Sequence, residues 1–308
     1  MPAAFHDPVL SSEALRFLIT DATGVYVDAT VGGGGHSEAI CRQLHGSGRL
    51  VCVDTDGDAV DAARKHLAPF QNRLHFVHSN FGNLNRELRA LAIASVQGML
   101  FDLGVSSYQL NEPGRGFSFR ADEKLDMRMD RRQQFSAWDV VNTYGEQPLA
   151  DVLWKYGEER NSRRIARMIV RARPVSTTAA LRSIVEAAVG KRFLTKSLAR
   201  VFQAIRIEVN AELKNLQRIL EDSLGILSPH GRIVMISYHS LEDRMVKEFF
   251  RREAAIPTPI AMNFVASKSI VPRLKILTKR PVTPSASEID RNPRARSAKM
   301  RAAERCAE

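Results

Sequence analysis

The sequence predicts an α/β protein built on a parallel, doubly wound sheet, with an all-helical domain inserted after the fourth strand. Three observations carry this. Short apolar runs alternate with helix-like segments at βαβ spacing over residues 25–103. Three of those runs end on an acid, at Asp28, Asp54 and Asp102. Strand signals then vanish over residues 135–205 and return at RIVMIS, 232–237.

Composition narrows the class. The 308 residues, 44% of them apolar, are enough for one large or two ordinary domains with full cores. The N-terminal residues lack the basic segment and apolar run of a signal peptide, and no stretch reaches the roughly 18 apolar residues of a membrane span, so the expectation is a cytoplasmic protein with no membrane partner. Cys41, Cys52 and Cys306 have no C-x-x-C spacing, which argues against a disulfide framework and against a zinc site, and no metal is expected. The net charge of +11 is unevenly spread: residues 151–206 carry +9 and 267–308 carry +7, leaving an otherwise acidic chain. Two basic attachments on an acidic domain point to a polyanionic partner.

Taken in order, residues 6–18 read as a lead-in and an amphipathic helix, with Ser11 or Ser12 available as its cap. The first strand, 25–30, runs into four glycines, Gly32 to Gly35, and a helix over 37–44. LVCVD (50–54) is the second strand, 74–78 the third and GMLFDL (98–103) the fourth. In such a sheet the ligand lies at the carboxyl ends of the strands, where the glycine loop through His36, Asp54, Phe81 and Asp102 would all arrive. Asp54 stands where a carboxylate accepts both hydroxyls of a ribose. The glycines fail the dinucleotide spacing G-x-G-x-x-G, whose third position falls on Ser37 or Glu38, and no G-K-[ST] follows. A glycine turn without a pyrophosphate site but with an acid for the ribose suits S-adenosylmethionine.

Residues 102–132 break helical patterning with Gly104, Pro113, Gly114 and Gly116, while Phe117 and Phe119 alternate with Arg115 and Arg120. Aromatic faces beside guanidinium groups would stack an unpaired base and hold its phosphates; an ordered loop pinned by two buried Phe side chains is the alternative.

Nine blocks in one order then become recognisable: HDPVL (6–10), DATVGGGGHS (28–37), DLGVSSYQL (102–110), RGFSFR (115–120), LDMRMD (125–130), YGEER (156–160), FQAIRIEVNAEL (202–213), SYHSLEDRMVK (237–247) and NPRARSAKMR (292–301). Together they resemble the bacterial S-adenosylmethionine-dependent methyltransferases that act on the N4 amine of a cytidine in small-subunit (16S) ribosomal RNA, and the resemblance covers nearly the whole chain. It implies a Rossmann-like class I methyltransferase sheet and cofactor contacts at Gly34, Gly35, His36, Asp54, Phe81, Asp102 and Gln109. Tyr108 departs from the family's usual Pro, and Lys196-Ser197-Leu198 from its His-Pro-Ala.

The expected division is 1–134 with 207–308 as the methyltransferase domain and 135–206 as an RNA-recognising insert. Within the insert, Arg160, Arg164, Arg167 and Arg171 recur along one helical face. A solvated Arg face is the alternative for any one helix, and the segment's charge favours RNA. Arg294 and Arg296 in the basic tail would meet RNA or stay solvated. Asp102, with the loop carrying Ser106, is the candidate for holding the cytosine amine. Ser240 and Asp243 have capping-box spacing; His239 faces the pocket or is structural. The partner is small-subunit ribosomal RNA or the assembled subunit, and a homodimer is left open. A cofactor-holding assembly factor without turnover is the rival function.

Overall fold

The strands form because their residues can be buried on both sides. Tyr26, Leu50, Cys52, Leu100, Val234 and Ile236 belong to one apolar cluster, while the intervening Val27, Val51, Val53, Met99, Phe101, Ile233 and Met235 are equally buried. Near-continuous apolar runs of this kind are what a parallel sheet covered on both faces requires. The computed structural model describes residues 8–106, 109–110, 112–255 and 271–307. Tyr108, the departure in the family-like loop, lies outside them.

The chain divides into two units, Met1–Gly104 with Asn215–Glu308, and Val105–Lys214. The first holds α1 (Ser11–Leu18), β1 (Val25–Asp28), α2 (Gly35–Gln43), β2 (Arg49–Asp54), α3 (Gly57–His66), β3 (Leu74–His78), α4 (Leu84–Ala90) and β4 (Val96–Asp102). The second holds α5 (Ala137–Thr143), α6 (Glu146–Gly157), α7 (Ser162–Arg171), α8 (Thr178–Val189) and α9 (Leu194–Asn210). After α10 (Glu212–Ile226) the sheet resumes with β5 (Leu227–Ser237), α11 (Ser240–Ala254), β6 (Leu274–Ile276), α12 (Ala286–Arg291) and β7 (Lys299–Arg305).

Strand order is β3-β2-β1-β4-β5-β7-β6, parallel except that β7 runs antiparallel to both β5 and β6. The expected core of four parallel strands and a fifth is present. β7 differs from expectation: KMRAAER carries no alternating apolar pattern and has the composition of a basic tail. It pairs because Met300, Ala302 and Ala303 are small or flexible enough to be fully buried between two strands.

Two local expectations are corrected. The cap of α1 is neither Ser11 nor Ser12; Leu10 takes a left-handed conformation there, and its N–H donates to Glu288 Oε1 at 2.7 Å. The inserted unit begins at Val105 rather than 135, because Phe117, Leu125 and Met127 are part of its core with Val140, Leu153, Ile165 and Val201. Within that unit α6 and α9 approach so closely that a Cβ on Gly157 would lie 2.6 Å from the Arg200 carbonyl, which explains a glycine at a helix end.

Candidate active site

Four parallel strands end at one edge, and the loops that leave them build the site in the first unit. After β1 the chain turns through Gly32 and Gly34, whose φ of 50° and 91° lie in the left-handed region. Gly34 caps α2, and a Cβ there would press on His66 and Leu67 at 3.2–3.3 Å. The turn is tied to β2: Asp54 accepts from the Gly32 N–H at 2.8 Å and the Asp56 N–H at 2.9 Å, one on each oxygen. Each oxygen keeps a lone pair for a further donor. Burial pushes the Asp54 carboxyl up to about 6, against those two backbone donors. After β3, Phe81 stands edge-on to Phe101 of β4, ring centroids 5.8 Å apart.

At the end of β4 lies a buried polar cluster. Asp102 Oδ1 accepts from the Tyr238 hydroxyl at 2.8 Å, and Oδ2 sits 3.6 Å from His36 Nε2. His36 is 7% exposed, and among the described residues its Nε2 has no hydrogen-bond partner. Burial favours its neutral ring, but Asp102 and Asp28 outweigh that and hold its pKa above the ordinary value. Asp28, fully buried, accepts from Ser37 Oγ at 2.7 Å and the Thr30 N–H at 3.2 Å; burial raises its carboxyl despite His36 and those donors. Burial and the facing Asp102 raise the Tyr238 phenol well above its usual range.

His239 is the N-cap of α11: its Nδ1 accepts from the Glu242 N–H at 3.4 Å while Glu242 Oε2 accepts from the Tyr238 N–H at 3.0 Å. The expected cap at Ser240 is therefore displaced by one residue, and Nδ1 of the imidazole is taken by the cap while Nε2 lies 3.3 Å from Glu242 Oε1. The neighbour that matters to Asp102 is Tyr238, which the sequence places at a strand end but does not connect to Asp102.

Ser106 and Gln109 lie in the second unit and cap each other. Gln109 Oε1 accepts from the Ser106 N–H at 3.0 Å and Ser106 Oγ accepts from the Gln109 N–H at 3.1 Å.

The base-stacking expectation for RGFSFR fails at Arg115 and Phe117. Arg115 is 1% exposed and donates to the carbonyls of Arg128 and Met129 at 3.0 and 3.2 Å, Phe117 is buried, and Phe119 packs edge-on against Phe202 at 5.4 Å. The buried Phe117 ring has no free face for a base, while Phe119 is half-buried. Only Arg120 of that group is exposed. Among the described residues the exposed aromatics of the unit are Phe135, Trp138, Trp154 and Phe193, and the Arg192 guanidinium lies 5.4 Å over the Phe193 ring. Composition could not have separated these from Phe117 and Phe119, because exposure is set by packing.

Arg164, Arg167 and Arg171 are exposed on α7, opposite buried Ile165 and Ile169. Arg160 precedes the helix, in the turn after the left-handed Glu158, and Arg167 is paired with Glu146 at 3.1 Å. Arg294 and Arg296 are exposed in a short 3-10 turn.

The strand-end acids and the glycine turn test what ligand fits. Asp28, Asp54, Asp56 and Asp102 make this edge acidic, which suits a cationic ligand and opposes a pyrophosphate. A half-buried carboxylate with spare lone pairs suits a ribose, and the buried, unpartnered His36 Nε2 offers a further polar contact. The strand order, with its single antiparallel strand, is the sheet of the class I S-adenosylmethionine-dependent methyltransferases.

Within that class the chain belongs to the MraW methylase family, whose model matches residues 3–306. It is 49% identical over 308 residues to a protein of Carboxydothermus hydrogenoformans named Ribosomal RNA small subunit methyltransferase H, covering 97% of each chain. Proteins of the same name from Trichormus variabilis and Finegoldia magna are 47% and 42% identical, over 98% and 97% of this chain and 92% and 98% of theirs. No helix among the described residues is long and apolar enough to cross a membrane.

Proposed function

We propose that the protein transfers a methyl group from S-adenosylmethionine to the N4 amine of a cytidine in small-subunit ribosomal RNA. The observation that carries the reading is the acidic strand-end cradle, in which a left-handed glycine turn is hydrogen-bonded to the Asp54 carboxylate, the group that would accept a ribose. Membership of a methylase family, and relatives named for small-subunit ribosomal RNA, support the reaction and the substrate class.

When bound, the cofactor supplies an electrophilic methyl on a sulfonium centre. Asp54 accepts the ribose hydroxyls, Gly34 and Gly35 let the backbone approach, and Phe81 borders the pocket. The carboxylates at the strand ends favour the cofactor's positive charge. Asp102, held by Tyr238 and faced by His36, keeps lone pairs that accept from the amine N–H and localise the nitrogen's electron pair before attack. Most of the rate comes from holding amine and methyl in line, so no strong base is required. The exposed arginines Arg120, Arg160, Arg164 and Arg171, with Arg294 and Arg296, are the RNA contacts of this reading, and Gln109 is a further cofactor contact.

Labelled methyl transfer to isolated small subunits, naked ribosomal RNA and DNA, followed by mapping of the modified base, tests it. Label on a cytidine N4 of the subunit or its RNA is expected. No transfer to any of the three favours an assembly factor that holds the cofactor without turnover. If Asp102→Asn keeps full turnover and only weakens cofactor binding, Asp102 is a cofactor ligand and no more.

A further inference from the structure

Away from the strand-end site, α11, β6 and β7 enclose a cavity of about 320 Å³ lined by Lys247, Phe250, Arg251, Ile276, Thr278, Lys279 and Arg301. Four of these seven residues are cationic and none is acidic. Their partners differ. Arg301, 8% exposed, is neutralised by Asp243 at 2.6 Å, so it serves as a wall of the cavity. On the neighbouring surface Arg252 pairs with Glu253 at 2.9 Å, and Arg273 with the same carboxylate. Lys247, Arg251 and Lys279 have no carboxylate partner among the described residues, and Arg251 and Lys279 are exposed. Lys247 and Arg251 are four residues apart on α11 and so share a face, with Phe250 buried beside them. Three unneutralised cations around a concave apolar floor form a site for anionic groups carried on a flat or apolar body.

Register fixes where this site lies in the sheet. Arg301 is opposite Met235 on β5, and the next residue, Ile236, is opposite Asp102 on β4. The cavity wall is thus at the depth of Asp102 and two strand spacings away, about 10 Å across the sheet. A single RNA strand whose target base enters the strand-end pocket would lay its flanking backbone there.

We propose that this cavity is a second RNA contact, holding the phosphodiester backbone beside the target nucleotide through Lys247, Arg251 and Lys279. The inference rests on the RNA-methyltransferase reading above. Contacts of this kind position the strand and carry no sequence information directly.

The test uses the full chain and the triple variant Lys247→Gln, Arg251→Gln, Lys279→Gln, with Arg49→Gln, Lys65→Gln, Arg89→Gln as a control that removes equal charge from the other half of the sheet. Fluorescence anisotropy with a labelled polyuridylate oligonucleotide, which carries no cytidine, reads backbone binding directly. The triple variant is expected to bind about tenfold more weakly and to lower the log–log salt slope by about 2, since each neutralised phosphate on a single strand contributes about 0.7. The control triple should keep wild-type affinity, and cofactor binding by calorimetry should be the same in all three proteins. In methyl transfer the variant should raise KM for RNA without changing kcat. Equal oligonucleotide affinity and salt slope in wild type and variant would overturn the proposal while methyl transfer by the wild type still stood. Loss in both triples alike would show a net-charge effect and overturn it too. If the wild type methylates no RNA yet the variant loses oligonucleotide binding, the function reading fails and the cavity stands as an RNA site.

Discussion

Replacing Asp54 by Asn removes a charge but little volume. The carboxylate holds two backbone N–H groups, one in the glycine turn and one after β2. An amide has one acceptor oxygen, so its NH2 must face one of those donors. Leaving a buried donor unmet costs about 1–3 kcal/mol, and a hydrogen bond from a ribose hydroxyl to a charged acceptor is worth about 1.5–3 kcal/mol more than none. Cofactor affinity should fall by roughly ten- to a hundredfold. The pH dependence separates ligand loss from loop damage. Asp54 is pushed by burial up to about 6 from 3.8, so the native state holds this proton more tightly than the unfolded chain. Its ionisation therefore costs stability as pH rises from near 3.8 through 6, whereas ribose binding needs the ionised form and weakens as pH falls below 6. Calorimetric titration of S-adenosylmethionine from about pH 5 to 8 should show the wild-type Kd rising by up to about tenfold per unit below about 6. The variant, with no carboxyl to titrate at this position, should bind weakly and lose the fall in affinity centred near 6. Wild-type affinity in Asp54→Asn, or no pH dependence in the wild type, would refute the placement of the ribose.

Tyr238→Phe deletes the hydroxyl that donates to Asp102 at 2.8 Å and leaves the ring, so cofactor affinity should drop roughly tenfold with little change in Tm; an unchanged Kd would show that Asp102 needs no such support. Gly116→Ala drives a Cβ into the Lys124 carbonyl at a φ of 69°, and urea denaturation should report a loss above about 3 kcal/mol, with a loss under about 1 kcal/mol contradicting the geometry. Arg164→Gln with Arg171→Gln, both exposed on α7, should lower the salt slope of RNA binding by about 1.4 and leave the cofactor Kd alone; an unchanged slope makes that face merely solvated.

The sequence alone determined the alternation of strand and helix, the acids at the strand ends and the absence of a dinucleotide fingerprint, because short apolar runs, turn glycines and ligand chemistry are written in local residue order. The glycine turn, Asp54, Phe81 and Asp102 were legible for that reason. Tertiary structure alone decided which of the basic and aromatic residues are surface. Arg115 and Phe117 read like an RNA platform, yet backbone carbonyls 13 and 14 residues away and the insert's core take them inside. It also decided that KMRAAER is a strand, since its place between β5 and β6 compensates for its weak pattern with hydrogen bonds on both edges. The Tyr238 hydroxyl reaches Asp102 across 136 residues, a pairing no local spacing encodes. Contacts between residues distant in the chain depend on how the elements pack, and that is where single-sequence patterning carries no signal.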